Sequence, residues 1–237
     1  RRFVATGSAR PMAPTRLTGF RAAGAVLLCA LPVSLGFIVP MLHLSVSAAR
    51  RIGEVGVSPG LAAEAVTTAS IALAATALAL ACGFLVATAH RLAPSGLTLV
   101  STRVAGLGYA VPGTVLAIGL LSPLAGFDNL LDGTLRSTFG LSSGLLLSGS
   151  GAALVLALAI RFLAIPVGGI ESGFAKLSPH LDMAARSLGC SRGATVGRIH
   201  LPLLRPALLT AALMLFVDAM KELPATLVMR PFNFDTL

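Results

Sequence analysis

The stretch AVTTASIALAATALALACGFLVATA, Ala65 to Ala89, decides the fold. It holds no charged residue. A helix rises about 1.5 Å per residue, so a run of this length crosses a hydrocarbon layer about 30 Å thick. The rest of the chain repeats the pattern. Apolar runs extend over Ala22–Val46, interrupted by Pro32 and Pro40, then over Val104–Ala125, Ser143–Ile165 and Pro206–Met220. The last stretch, KELPATLVMRPFNFDTL, is neither long nor apolar enough to cross. These runs predict an all-α, multi-pass bundle of about five spans.

Composition agrees. Of 237 residues, 55% are hydrophobic and 11% charged, against about 25% charged in a soluble domain. Mean hydropathy is +0.89. The net charge is +9, from 18 Lys and Arg against 9 Asp and Glu. In a soluble protein that excess suggests nucleic acid, but here the bases lie in loops between apolar spans and aromatics are only 5%. Topogenic charge explains the excess, so no nucleic-acid partner is expected.

The loops set an orientation. The tail, residues 1–21, carries Arg1, Arg2, Arg10, Arg16 and Arg21 with no acid. After the first span, Arg50 and Arg51 are balanced by Glu54 and Glu64; the next loop has Arg91 and Arg103 alone, and the one after has Asp128 and Asp132 against Arg136. Basic excess thus alternates. The positive-inside rule places the tail, the Arg91 loop and the long loop of residues 171–206 in the cytoplasm. Five crossings leave the carboxyl end outside, where a sixth span is expected to bring it back. Residues 22–60 then form a membrane anchor and external loop.

Few residues suggest stable ligation. Cys29, Cys82 and Cys190 lack metal-ligand spacing and imply no disulfide framework, and His43, His90, His180 and His200 are scattered. No glycine loop of the Walker type is present, so no nucleotide or other cofactor is expected in this chain. The third run contains GYAVPGTVLAIGLL, with Gly106, Gly108, Pro112 and Gly113 as helix breakers near its start. Loosened backbone at membrane depth either lines a path or forms a packed kink at a helix interface. Both readings stay open on the residues alone.

The polar stretch LDMAARSLGCSRGATVGRIHLPLLRP, Leu181 to Pro206, interrupts the apolar pattern. Ser178 is a good N-cap, and Leu181, Ala184, Ala185 and Leu188 fall on one helical face. Asp182 and Arg186 are spaced as an i, i+4 pair. Gly189 suits the residue past a helix end, and Ser191 can cap a second helix. The stretch reads as helix, glycine turn, helix. An ordinary amphipathic loop on lipid headgroups has the same pattern.

The spacing of this elbow resembles the cytoplasmic loop of ABC importer permeases: Glu-Ala-Ala, three residues, Gly, nine residues, Ile, one residue, Leu-Pro. Ala184, Ala185, Gly189, Ile199, Leu201 and Pro202 stand in that register, with Met183 in the glutamate position and Asp182 beside it. The resemblance implies a type I importer bundle over residues 61–237 and a coupling loop that docks on a separate ATPase dimer, which binds ATP and Mg. Asp182, Met183, Ala184, Ala185, Gly189, Ile199, Leu201 and Pro202 would carry the coupling. GYAVPGTVLAIGLL and DAMKELPATLVMRPFNFDTL resemble ferric-iron importer permeases, and in particular the second half of fused two-half forms, from about Ala62 onward. That implies a second permease half, fused or separate, an external solute-binding protein, and a bacterial inner membrane.

Asp218, Lys221 and Glu222 fall at i, i+3 and i+4 near the outer end of the fifth span. Together with Tyr109, Pro112 and Gly113 they are candidates for the translocation path. Fe³⁺ is a hard cation that favours oxygen ligands, so Asp218 and Glu222 suit passing contacts. An interfacial ion pair that orients the helix is the plainer reading. Thiamine, polyamine or an oxyanion would keep the mechanism and change the cargo. A membrane-embedded enzyme and a non-transporting scaffold are the readings from other classes. The chain itself is expected to be a transport subunit and not an enzyme.

Overall fold

The computed structural model describes residues 16–148 and 150–230. The chain divides into two compact units, Arg1–Pro59 and Gly60–Leu237.

In the first unit, one long helix, α1, runs from Phe20 to Val55. It is long and apolar enough to cross a membrane. A π-turn occupies Ser34–Ile38, between Pro32 and Pro40. Proline has no N–H, so both residues interrupt the i→i−4 ladder, and the helix re-registers between them. None of its described side chains is buried. The expected span Ala22–Val46 lies within α1. The helix continues past it, so Arg50, Arg51 and Glu54, expected in a loop, are helical.

The second unit is built from α2 (Leu61–Leu92), α3 (Gly96–Ala110), α4 (Gly113–Phe139), α5 (Gly151–Phe162), α6 (Ala164–Ala175), α7 (His180–Ser187), α8 (Arg192–Met220) and α9 (Leu223–Met229). No strand occurs among the described residues. The protein is an all-α multi-pass bundle. Helices α1, α2, α4 and α8 are long and apolar enough to cross a membrane, and α5 with α6, bent by 43°, make a fifth crossing if they count as one span.

The core lies where α2, α5, α6 and α8 meet. Lipid tails are as apolar as leucine, so helices gain little by hiding apolar surface and instead need close van der Waals contact between small residues. Ala72, Ala75 and Ala79 of α2 are buried in one cluster with Ala153, Leu154, Ala157 and Leu158 of α5. Helices α6 and α8 approach closely at two glycines. A Cβ on Gly169 would sit 3.2 Å from that of Ala211, and one on Gly173 would lie 2.8 Å from Leu204 Cδ2 and 3.0 Å from Ala207 Cβ.

Three expected spans need correction. The run Val104–Ala125 is not one helix: it breaks at Val111 and Pro112, between α3 and α4. Pro112 favours extended backbone in the residue before it, and Val111 has φ −85° and ψ 133°. Helix α4 continues beyond Ala125 to Phe139, because Asp128 and Asp132 face the returning chain instead of water. Asp128 accepts from the Leu147 and Ser148 amides at 2.9 and 2.7 Å, and Asp132 from the Ser143 and Gly144 amides at 2.8 and 3.1 Å. Consequently the next helix starts at Gly151, not near Ser143, where Ser150 caps it. The last span starts at Arg192, not Pro206, since its polar first turns continue straight into the apolar part.

Replacing Gly173 with leucine should force α6 and α8 apart and lower stability by about 1–3 kcal/mol, the range for overpacked interiors. Gly168, where an added Cβ meets nothing within 4 Å, is the control. A thermal midpoint in detergent that falls for Gly173→Leu and stays put for Gly168→Ala is the expected result.

Candidate functional site

Two places in the second unit gather polar side chains: the α7–α8 elbow and the break between α3 and α4.

The elbow begins at Ser178, whose hydroxyl accepts from the His180 amide at 3.3 Å. Helix α7 ends in a complete Schellman motif. The Gly189 amide donates to Arg186 O at 3.0 Å, and the Cys190 amide to Ala185 O at 2.9 Å. Gly189 has φ +75°, a left-handed conformation that glycine adopts without a Cβ clash. Ser191 then caps α8 by accepting from the Ala194 amide at 3.3 Å. A π-turn at Val196–His200 follows.

Asp182 fixes the elbow to the membrane helices. The expected pair with Arg186 does not form. Instead Arg91 Nε, at the end of α2, donates to Asp182 Oδ2 at 2.9 Å, and His200 Nε2, in α8, lies 2.6 Å from Asp182 Oδ1. An ionised carboxylate only accepts, so His200 carries its proton on Nε2. Phe174, at the end of α6, packs edge-on against the His200 ring at 5.1 Å and lies under the Arg91 guanidinium at 5.7 Å. Arg91 also reaches Leu177 O at 3.4 Å. A local i, i+4 pair contributes only a few tenths of a kcal/mol, whereas these two charge-assisted bonds reach a carboxylate that is 15% exposed. Burial pushes the Asp182 carboxyl up, but the bonds from His200 and Arg91 outweigh it and hold the group below its ordinary value of 3.8.

With Asp182 turned inward, the outer surface falls to other residues. Met183 is 52% exposed and Leu188, at the tip, 83%. Ala184 is exposed, but Ala185 is buried beneath the helix. Ile199 is half-buried, while Leu201 and Pro202 are exposed on α8.

At the second place, Tyr109, Arg161, Phe162, Asp218, Lys221 and Glu222 line a cavity of about 420 Å³. Lys221 pairs with Asp218 at 2.8 Å. Glu222 does not continue that helical face. Helix α8 ends at Met220, and Glu222 turns to Arg161, with Arg161 Nε 3.2 Å from Glu222 Oε2. Arg161 Nη1 also donates to Val111 O at 2.7 Å, in the α3–α4 break. Gly113 is buried against this pair, and Pro112 caps α4 from an exposed position. So the structure brings Tyr109, Asp218, Lys221 and Glu222 around one cavity with Gly113 at its edge. Arg161 was missing from the expected set, although a lone charge at the end of an apolar span is itself a signal. Among the described residues, no three His, Cys, Asp or Glu side chains converge as a metal-holding group.

A 117-residue stretch, 49% of the chain, is 33% identical to a Haemophilus influenzae protein that bears the provisional name ferric transport system permease protein. The chain is similar to a ferric transport permease. The matched stretch spans 16% of that relative's length. No family model matches the chain.

Replacing Asp182 with asparagine should lower stability by about 1.5–3 kcal/mol, the range for hydrogen bonds to a charged group. The pH dependence has a definite sign. A carboxyl whose folded value is depressed stabilises the fold fully above its unfolded value of 3.8, and that contribution is lost as pH falls through the lower folded value. The gap in thermal midpoint between the parent and Asp182→Asn should therefore be constant above about pH 5 and shrink as pH falls below 4. A gap independent of pH down to 2 would mean that Asp182 is not ionised in the elbow.

Proposed function

We propose that this chain is a membrane-embedded part of the permease of an ATP-driven importer, carrying ferric iron released by an external binding protein. ATP and Mg are bound by a separate ATPase dimer, and a second permease half completes the pathway. Its place is the bacterial inner membrane, with the amino end and the elbow on the cytoplasmic side, as the alternation of basic loops favours.

One observation carries the coupling role. Asp182 ties the elbow to α2 and α8, with Phe174 of α6 packed on both partners. A loop that only rested on headgroups has no need of such an anchor. A loop that receives force needs it, because a push on the tip must move membrane helices. The exposed Met183, Ala184 and Leu188 then form the surface offered to the ATPase, and Gly189 holds the angle between α7 and α8. Met183 in the position of the family's glutamate fits this division, since the acid of this elbow is spent inward as an anchor.

The cargo reading rests on the similarity to a ferric transport permease and on the oxygen donors Asp218 and Glu222 beside the cavity. Each carboxylate is already matched by a cation, so contact with the ion is transient and release is fast.

Uptake of labelled ferric iron by the complete importer, compared with thiamine, a polyamine and sulfate, tests the cargo. Leu188→Asp should abolish ATPase co-purification while leaving membrane insertion intact. Gly189→Val places a branched side chain at positive φ, which costs about 1–3 kcal/mol of strain, and should cut transport at least tenfold while ATP hydrolysis persists. Normal coupled transport in both variants would remove the elbow from the docking role.

A further inference from the structure

The bundle has three chain interruptions around one side chain. Helices α3 and α4 part at Val111 and Pro112, α5 and α6 bend at Leu163, and α8 and α9 part at Lys221 and Glu222. Arg161 stands two residues before the bend, donates to Val111 O in the first break, and pairs with Glu222 in the third. Its side chain is 18% exposed and that of Glu222 is 10%. Arg161 also lies over the Phe162 ring at 5.6 Å, and Phe162 meets Tyr109 edge-on at 6.2 Å. The approach is tight by design of the backbone. A Cβ on Gly108 would fall 2.3 Å from Ile160 O, and one on Gly113 would fall 2.3 Å from Glu222 Oε1 and 3.2 Å from Arg161 Cζ.

We propose that Arg161 is the positioning residue of a gate: its guanidinium pins the α3–α4 break to the α8–α9 break, and its release opens the cavity to the path. The inference rests on the transport reading above. A break at membrane depth is tolerated only where protein or a water-filled cavity covers it, and this cavity borders two of the three breaks. Each break is a place where backbone angles can change without unwinding a helix, so the clamp joins the points at which the bundle bends most easily.

Glu222 has the features of a switch partner. Oε2 stands 3.2 Å from Arg161 Nε as an ion pair, but Nε and the carboxylate's Oε1 are both buried with no hydrogen-bond partner. Oε1 lies against Gly113, the first residue of the 27-residue helix α4, whose amino end carries positive partial charge. A second source of positive potential therefore stands beside the carboxylate. When Arg161 withdraws, Glu222 is not stranded, and the two arrangements can lie close enough in energy to exchange.

The test is labelling of Val111→Cys in the complete importer, reconstituted in vesicles, with Cys29, Cys82 and Cys190 replaced by serine. The probe is a charged, membrane-impermeant maleimide, applied without nucleotide and after trapping with ATP and vanadate. A Leu188→Cys variant reports on the elbow in parallel. Trapping should raise the rate at Val111→Cys at least tenfold, and Arg161→Gln should label fast in both states. Gly113→Ala keeps both charges but places a methyl group on Glu222, so it should give the same constitutively fast pattern even if Arg161→Gln fails to insert. Equal rates at Val111→Cys in the two states, with a nucleotide response at Leu188→Cys, would overturn the gate alone. No response at either site would overturn the transport reading along with it. Parent-like, state-dependent labelling in Arg161→Gln and Gly113→Ala would mean that the pair only stabilises the fold.

Discussion

Hydrocarbon offers no hydrogen bonds, and the helix breaks of the second unit answer to that constraint. An unsatisfied backbone group in lipid costs several kcal/mol, so a helix break there needs a local remedy. Arg161 supplies one by donating to Val111 O in the α3–α4 break. The chain between α4 and α5 has another, since Asp128 and Asp132, one turn apart on α4, together take four of its amides. Charged residues in the bundle thus repair backbone as much as they pair with one another.

The same economy governs the elbow. A buried carboxylate is costly when isolated and only modestly favourable when paired, so its partners matter more than its own charge. Asp182 has two, contributed by helices far apart in the chain, and an aromatic ring packs against both. The result is a short polar helix held rigidly at its inner face and left free at its tip.

Much of this was legible in the sequence. The uncharged run of α2 announced a span, and Ser191 and Gly189 announced the cap and the turn, because caps and left-handed turns depend on residues a few positions apart. The side-chain partners were not legible. Arg91, Asp182 and His200 lie on separate helices, as do Val111, Arg161 and Glu222, and only tertiary structure brings them together. Reading Asp182 with Arg186 followed the local rule, which fails when a stronger distant pair competes. Helix ends were misplaced for a related reason. Asp128 and Asp132 looked like loop residues because their charge was weighed against lipid, when their actual neighbours are backbone amides.

The π-turn in α8 has a geometric consequence of its own. One extra residue in a helical turn rotates everything on one side of it by about 100° relative to the other. The turn at Val196–His200 therefore lets a single unbroken rod present two unrelated faces. Below it, Ser191 and Thr195 build the elbow; at its upper edge, His200 points into the bundle; above it, Leu204, Ala211 and Leu215 face the core. Loss of one residue there would bring the two faces into a common register. The rod would keep its length and its hydrophobicity, yet the elbow would swing by more than a quarter turn away from Arg91. The helix is in effect a keyed shaft, and the extra residue is the key.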